Sequence, residues 1–266
     1  MQLSDLYEYI AKRKSVRSYQ DEAPAEELIE ELVDFLSEQE APRPDIDWDF
    51  DILSYNEMYL LISDEPKIKA SRYLVLRAEK GSFYGQNMGY LGGLADLWLS
   101  SRGLGTCWMG GIKISEDYAD SLPYIISIAF GKTDSPHRGE NEAPDRLPLE
   151  KICRKPFTGD KLNVAESVRL APTAGNRQPI SLMEYKDGDI EVFRKTSYIN
   201  AATELEMSID AGIVMAYAKI TGEALGYEVV FRGKQPQPTW GGKLHTVSIF
   251  LKTNGEQAAG EAKEVK

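Results

Sequence analysis

The sequence predicts an α+β protein built from two related halves, with antiparallel-rich sheets flanked by helices. Helical and strand-like hydrophobic patterns alternate along the 266 residues, and their order in the first half recurs in the second. Two short matches share one offset: 94–105 aligns with 215–226, and 126–132 aligns with 247–253. Each match has few identities, so the shared order of elements is the stronger indication of an internal duplication.

The elements of the first half follow from periodicity and from helix start and stop signals. Leu3, Leu6, Tyr7 and Ile10 recur at helical spacing, and the next apolar series follows Pro24, a residue that favours the first turn of a helix. The predicted elements are helices over 3–13, 25–39 and 85–103, strands over 49–54, 58–63 and 124–132, and a polar loop over 133–148.

The second half follows the same scheme. The predicted elements are helices over 162–171 and 202–226 and strands over 180–185, 190–195 and 246–252. The chain is therefore predicted to divide into a first half, 1–150, a second half, 151–253, and a flexible tail, 254–266. Two such halves packed about a pseudo-two-fold axis would imitate a homodimer within one chain, with two equivalent clefts that can diverge.

Composition argues against several classes of function. Lys plus Arg total 31 and Asp plus Glu total 42, a net charge of −11, which disfavours nucleic acid or an anionic membrane surface as partner. The two cysteines lack CxxC spacing and the two histidines lie far apart, so neither a disulfide framework nor a metal site is expected. We find no transmembrane-length apolar run and no signal-peptide pattern, so a cytoplasmic protein is expected.

The segment RKSVRSY, 13–19, is a local exception to this acidic composition. It offers two guanidinium forks, an ammonium group and hydroxyls, which match the oxygens of a phosphate or another anion. A solvated helix end is the simpler interpretation, and the segment alone leaves both open.

Two further segments combine small residues with accessible backbone. APTAGNRQP, 171–179, predicts a rigid turn in which Asn176 and Gln178 can pair with the edge of a heteroaromatic ring. GLGTCWMGG, 103–111, contains four glycines, which let backbone approach a flat ligand. The alternatives are a plain helix-to-strand loop and a helix C-cap with a turn. Neither a Walker A motif nor a dinucleotide-binding GxGxxG motif is present in these segments.

Taken together, these three segments resemble the motifs of the FMN-dependent nitroreductase family. RKSVRSY is similar to R-[RK]-S-x-R-x-[FY], APTAGNRQP to A-P-[ST]-x-x-N-x-Q-P, and GLGTCWMGG to G-L-G-T-x-W-[IM]-G-G. The strand end IAFGK, 128–132, and the segment RLPLE, 146–150, are also similar to the family pattern. The resemblance covers most of the chain and extends to the single-chain, internally duplicated branch of the family. It implies a nitroreductase-like fold whose halves form an intrachain pseudo-dimer.

The resemblance implies FMN as the cofactor and assigns a role to each matching residue. Arg13, Lys14 and Ser15 would hold the phosphate and ribityl end. Arg17 would lie near the flavin N1–O2 edge, where a cation stabilises reduced flavin. The other implied contacts are Pro172, Thr173, Ala174 and Asn176 on the pyrimidine side, the amides of Gly110 and Gly111 near N5, and Arg146 at the phosphate, with Lys132 as its alternative. No side chain is implied as catalytic, because flavin N5 carries the hydride.

One departure from the family pattern concerns the position of the second motif. In the family this motif follows the first helix, and each FMN lies at a dimer interface between motifs of two subunits. Here that position holds APRPDIDW, 41–48, and the good copy is 171–179. In a fused pseudo-dimer, 13–19 and 171–179 would build one cleft, whereas RKPFTG, 154–159, and 41–48 would build a mirrored cleft without the necessary side chains. We therefore expect one FMN per chain.

The activity implied by the resemblance is electron transfer through flavin. NADH or NADPH would deliver hydride and leave, and a nitroaromatic, quinone or similar acceptor would take its place in the same cleft. Other flavin reactions on this fold, such as reductive dehalogenation, enone reduction or flavin cleavage, are the first alternative. A flavin-binding protein without turnover is the second, and a purely structural protein is the third. A monomer containing the pseudo-dimer, or a weak homodimer, is expected.

Overall fold

Helices and strands alternate along the chain, as the hydrophobic patterns predict. The computed structural model describes residues 1–62, 66–115, 122–185, 188–195, 200–233 and 239–253. Its helices are α1 (Tyr7–Lys12), preceded by a 3-10 turn at Leu3–Leu6, α2 (Glu26–Ser37), α3 (Tyr55–Leu61), α4 (Tyr84–Ser101), α5 (Leu149–Ile152), α6 (Asp160–Leu170) and α7 (Ala201–Ala224). Its strands are β1 (Trp48–Ser54), β2 (Arg72–Ala78), β3 (Gly105–Met109), β4 (Tyr124–Gly131), β5 (Ile180–Glu184), β6 (Ile190–Lys195), β7 (Glu228–Arg232), β8 (Thr239–Trp240) and β9 (Lys243–Lys252). The predicted tail, 254–266, lies outside the described residues. None of the described helices is long and apolar enough to cross a membrane.

Two antiparallel sheets, one from each half, have the same topology. The first has the order β1-β2-β4-β3, and the second has the order β5-β6-β9-β7, with β8 paired to β9. In each half two adjacent strands come first, a long helix follows, and the last long strand returns to the middle of the sheet. The α+β class with antiparallel sheets and flanking helices is thus confirmed. The shared topology is what an internal duplication predicts, and the duplication itself stays a prediction.

One predicted strand, 58–63, is wrong, because most of this segment belongs to helix α3. Ser54 starts this helix with a capping box: its hydroxyl accepts from the Glu57 N–H at 3.3 Å, and the Glu57 carboxylate accepts from the Ser54 N–H at 2.7 Å. Met58 and Leu61, one turn apart, are then buried against the first sheet, while Leu60 is exposed. Local capping therefore outweighs the apolar run that suggested a strand.

Four strands that the patterns do not predict, β2, β3, β7 and β8, complete the two sheets. Strand β2 lies between β1 and β4, so the first sheet would not be continuous without it. Strand β3 contains the centre of the glycine-rich segment GLGTCWMGG and pairs with β4. The preceding helix ends before Gly103, whose φ of +73° is the left-handed geometry of a glycine at a helix C-terminus.

The two long helices α4 and α7 pack directly against each other between the sheets. A Cβ on Gly89 would lie 2.0 Å from the carbonyl oxygen of Ile209, and a Cβ on Gly212 would lie 2.1 Å from the carbonyl oxygen of Gln86. Only glycine allows such a backbone-to-backbone approach. The buried apolar cluster continues across both helices, so the two halves share one core.

Candidate functional site

A cavity of about 540 Å³ is lined by residues of both halves. This volume lies within the range of small-molecule sites. The wall consists of the segment after α1, strand β3 with the glycines that follow it, the loop after α6 and one face of α7, together with Ile126 of β4 and Arg146 before α5. Residues of the wall that the sequence patterns do not single out are Cys107, Trp108, Ile126, Gly175, Glu206, Ile209, Asp210 and Ile213.

Most of the residues that the family resemblance assigns to one cofactor lie on this wall. The residues concerned are Ser15, Arg17, Gly110, Gly111, Arg146, Pro172, Thr173, Ala174 and Asn176. Three segments that are distant in sequence thus meet at one cavity. The two assigned residues that are not on the wall are Arg13 and Lys14.

Segment 13–19 reaches the cavity because it runs along strand β3. Ser15 and Thr106 form an isolated parallel bridge, and the Val16 N–H donates to the Thr106 carbonyl at 2.8 Å. A Cβ on Gly105 would lie 2.8 Å from the Val16 side chain, so this glycine allows the close approach. The pairing explains why RKSVRSY and GLGTCWMGG line the same cavity.

Arg13 lies behind the wall, where it pairs with a buried carboxylate of α4. Its Nη1 is 3.4 Å from Asp96 Oδ2, and its Nη2 donates to the Ser15 hydroxyl at 3.1 Å. Asp96 also accepts from Trp108 Nε1 at 2.8 Å and from the Thr106 hydroxyl. Asp96 therefore holds Trp108 directly, and Ser15 through Arg13, from inside the core. Sequence reasoning missed Asp96, although an acid inside the apolar run LADLWL was a usable signal.

Lys14 and Lys132 are both engaged away from the cavity wall. The Lys14 ammonium is 3.5 Å from the Glu142 carboxylate, and the Lys132 ammonium pairs with Glu22. Of the two alternatives for the phosphate end, Arg146 and Lys132, only Arg146 lies on the wall.

The loop 171–179 is fixed by its backbone geometry and by its two amide side chains. Gly175, Asn176 and Gln178 have φ values of +58°, +56° and +48°, a left-handed region in which glycine and asparagine are favoured. Arg146 donates to Asn176 Oδ1 at 2.7 Å, and Gln178 Oε1 accepts from the Leu147 N–H at 2.6 Å. Both amides thus join this loop to the segment before α5, and their pairing with the edge of a ring stays a prediction.

The cavity and its surroundings are rich in arginine. Arg17 is exposed on the wall and has no hydrogen bond or ion pair within the described part of the chain. Burial lowers the pKa of Arg146, and the nearby Arg13 and Arg138 lower this pKa further. Arg138 donates to the backbone carbonyl of Arg13 at 2.8 Å, and burial, together with the charge of Arg13, lowers the pKa of Arg138. Such a concentration of positive charge favours an anionic ligand group.

Asp210, on α7, is an almost fully buried acid of the wall, with a side chain that is 2% exposed. Its Oδ1 accepts from the Ala174 N–H at 2.9 Å, whereas Oδ2 has no hydrogen-bond partner among the described residues. Burial raises the pKa of Asp210 to about 7; the Ala174 N–H and Arg177 oppose this rise, and Glu206 adds to it.

The raised pKa of Asp210 predicts that the protein loses stability as the pH rises toward neutrality. From the ordinary value of 3.8 up to about 7, the folded protein holds a proton that the unfolded chain has released, so a rising pH favours unfolding. The variant Asp210→Asn lacks this dependence. The free energy of unfolding of the variant minus that of the wild type, measured in urea, should therefore increase between about pH 5 and pH 8. Asp45→Asn, at an exposed carboxyl whose pKa is lowered, is the control and should show no such gain. Equal pH profiles of Asp210→Asn and wild type would contradict the prediction.

Comparison with known proteins identifies the fold of this chain as that of nitroreductases. A solved structure described as a putative nitroreductase, from Thermotoga maritima, covers 92% of this chain and 92% of its own, with 22% identity and a TM-score of 0.62. The chain belongs to the family described as "Putative TM nitroreductase", whose model matches residues 5–222. Shorter similar structures include a putative NADH oxidase from Clostridium acetobutylicum (20% identity, 56% of this chain, 99% of that chain, TM-score 0.44) and an FMN-dependent nitroreductase from Clostridium difficile R20291 (16%, 56%, 98%, 0.44). No curated protein matches the chain.

Proposed function

We propose that the protein is an oxidoreductase that binds one FMN in the cavity and passes hydride from NADH or NADPH to a small acceptor such as a nitroaromatic or a quinone. The main support is the meeting of Ser15, Gly110 and Asn176, from three separate segments, on one cavity wall. Membership of a family described as nitroreductases supports the same class of reaction. Because residues of one chain line the cavity, the proposed working unit is a monomer containing the pseudo-dimer, or a weak homodimer. Its proposed location is the cytoplasm.

The residues of the wall fit FMN in shape and in charge. A Cβ on Gly110 or Gly111 would meet nothing within 4 Å, so bare backbone borders open space there, as a flat ring requires. Arg146 offers a half-buried cation to the phosphate group. Arg17, which has no ion pair among the described residues, would offer its cation to the N1–O2 edge of the flavin. When bound, FMN would supply the hydride chemistry that the side chains lack.

The chain's own residues would bind and orient the cofactor and favour its reduced form. The positive charge of Arg17 would stabilise negative charge that develops on reduction. Trp108, held by Asp96, would keep one side of the wall rigid. The loop 171–179, fastened through Asn176 to Arg146, would close the opposite side.

The mirrored cleft has features that argue against a second FMN. Asn87 uses both atoms of its amide on Arg43, accepting from the N–H at 3.0 Å and donating to the carbonyl at 2.7 Å. The segment expected to mirror RKSVRSY starts at Arg154, whose N–H donates to Leu182 of β5 at 3.0 Å. RKSVRSY lies along β3, at the other end of the strand order, so the mirrored segment is not in the equivalent place.

Flavin content tests the proposed binding site. We expect one FMN per chain after release and quantification. Arg17→Ala and Arg146→Ala should each raise the Kd for FMN about tenfold or more, because each removes a charged partner. Arg43→Ala, in the mirrored cleft, is the matched control and should leave the Kd unchanged. Two FMN per chain, or equal losses in all three variants, would overturn the one-site proposal.

Anaerobic reduction tests the proposed turnover separately from binding. NADH or NADPH should bleach the flavin absorbance of the loaded protein, and menadione or nitrofurazone should restore it. Bound flavin that neither nucleotide bleaches would instead identify a flavin-binding member of the family without turnover. The acceptors that restore the absorbance would distinguish nitro or quinone reduction from dehalogenation and enone reduction.

A further inference from the structure

The reciprocal contacts of Gly89 with Ile209 and of Gly212 with Gln86 relate positions 123 residues apart on the two long helices, two more than the offset of the sequence match. In this alignment the two helices carry polar residues at equivalent positions. Asn87 on α4 lies two residues before Gly89, and Asp210 on α7 lies two residues before Gly212. These are the glycines at which the two helix backbones touch.

An oxygen of each polar side chain also accepts a backbone N–H from a loop of its own half: Asn87 from Arg43, in the loop after α2, and Asp210 from Ala174, in the loop after α6. The two side chains therefore have the same structural role, because each one binds a loop to a long helix beside the contact between the helices.

The two side chains differ in what remains unbonded. The Asn87 amide is fully used by Arg43, as described above, with both a donated and an accepted hydrogen bond. Asp210 uses only Oδ1, on the Ala174 N–H, and its Oδ2 is buried without a partner in the described part of the chain. An amide satisfies this position in one half, so the fold does not need an acid there. The acid occurs in the half whose helix lines the cavity.

The surroundings of Asp210 favour its protonated form. Burial without a second hydrogen bond disfavours a carboxylate. Arg177, the cation that would hold Asp210 ionised, already pairs with Glu206. The charged and titratable groups that act on Asp210 or share its cavity wall, among the described residues, are Glu206, Arg177, Arg17, Cys107 and Arg146.

We propose that Asp210 is the acid that protonates the electron acceptor in the cavity. This inference rests on the proposed function and adds a catalytic residue to it. A quinone needs two electrons and two protons to become a hydroquinone. The electrons and one proton arrive together as the hydride that NAD(P)H supplies through the cofactor. The second proton comes from Asp210, whose O–H bond breaks as an O–H bond forms on the acceptor, and water then returns a proton to the carboxylate.

The test compares Asp210→Asn with wild type as FMN-loaded protein. Asparagine is the natural occupant of the equivalent position, so the variant should fold and keep its hydrogen bond to Ala174. Reduced enzyme is reoxidised in a stopped-flow instrument by a quinone, which needs a proton, or by ferricyanide, which needs none. At about pH 6 the ratio of the quinone rate to the ferricyanide rate should fall at least tenfold in the variant, since a positioned acid contributes about 10²–10⁴-fold. The wild-type ratio should fall as the pH rises through about 7, and the variant ratio should stay flat.

A second measurement does not depend on turnover. Infrared spectra of the wild-type apoprotein should contain a protonated carboxyl band at about pH 6 that disappears at higher pH and is missing from Asp210→Asn. An ionised Asp210 at about pH 6 would overturn the inference whatever the kinetics. Normal FMN loading and bleaching with an unchanged rate ratio would overturn the role of Asp210 and leave the proposed function standing. Failure to bind FMN would overturn the proposed function, and this inference with it.

Discussion

Replacing Gly89 by alanine is expected to lower the free energy of unfolding by about 3 kcal/mol or more. The new Cβ would lie 2.0 Å from the Ile209 carbonyl oxygen, a backbone atom that cannot rotate away. Alanine gains about 1 kcal/mol over glycine in helix propensity, which is too little to offset separation of the α4 and α7 backbones. For a chain of this size the loss corresponds to a fall in Tm of about 6–12 °C, measurable by thermal or urea unfolding.

Gly81→Ala is the matched control for this prediction. Its Cβ would meet nothing within 4 Å, so the variant should be as stable as wild type or slightly more stable. Gly212→Ala, at the opposite side of the same contact, should be as damaging as Gly89→Ala. If Gly89→Ala had the same free energy of unfolding as Gly81→Ala, this would contradict the direct contact between the backbones of α4 and α7.

The long helices and most strands could be predicted from the sequence because their patterns are long and local. Helix 202–226 is observed as α7 and strand 190–195 as β6. Strand β3 was harder, because its glycines suggested a turn, although buried and half-buried residues alternate at Cys107, Trp108 and Met109. Its pairing with β4 depends on a partner distant in sequence, which no local pattern reveals.

Site residues that belong to motifs could be predicted from the sequence, whereas those whose role depends on a buried position could not. Arg17, Gly110 and Asn176 were predicted from motif residues, and they line one cavity. Asp96 and Asp210 belong to no motif, and their importance comes from their position on the buried faces of α4 and α7. The sequence offers one weak signal for both, a single acid within the apolar runs LADLWL and SIDAGI. Their partners, such as Arg13, come from other elements and only the fold brings them together.

Asp96→Asn is expected to lower the free energy of unfolding by about 3–5 kcal/mol, because it leaves a buried cation without its counter-ion. The Arg13 side chain is 4% exposed, and its guanidinium lies 3.4 Å from the Asp96 carboxylate. An asparagine can still bond Thr106 and Trp108 after an amide flip, so the loss would report the missing charge. Urea unfolding at about pH 7 measures it.

The double variant Arg13→Gln with Asp96→Asn separates charge from shape. Removing both charges should recover part of the lost stability, so the double variant should be less destabilised than the sum of the single variants. Asp45→Asn, which breaks the exposed pair with Arg43, is the control and should change stability little. FMN affinity gives a second readout, because Asp96 also holds Trp108 on the cavity wall. An Asp96→Asn variant as stable as the wild type would mean that Arg13 does not depend on this carboxylate. The proposal that Asp96 holds Ser15, through Arg13, and Trp108 in place would then be wrong.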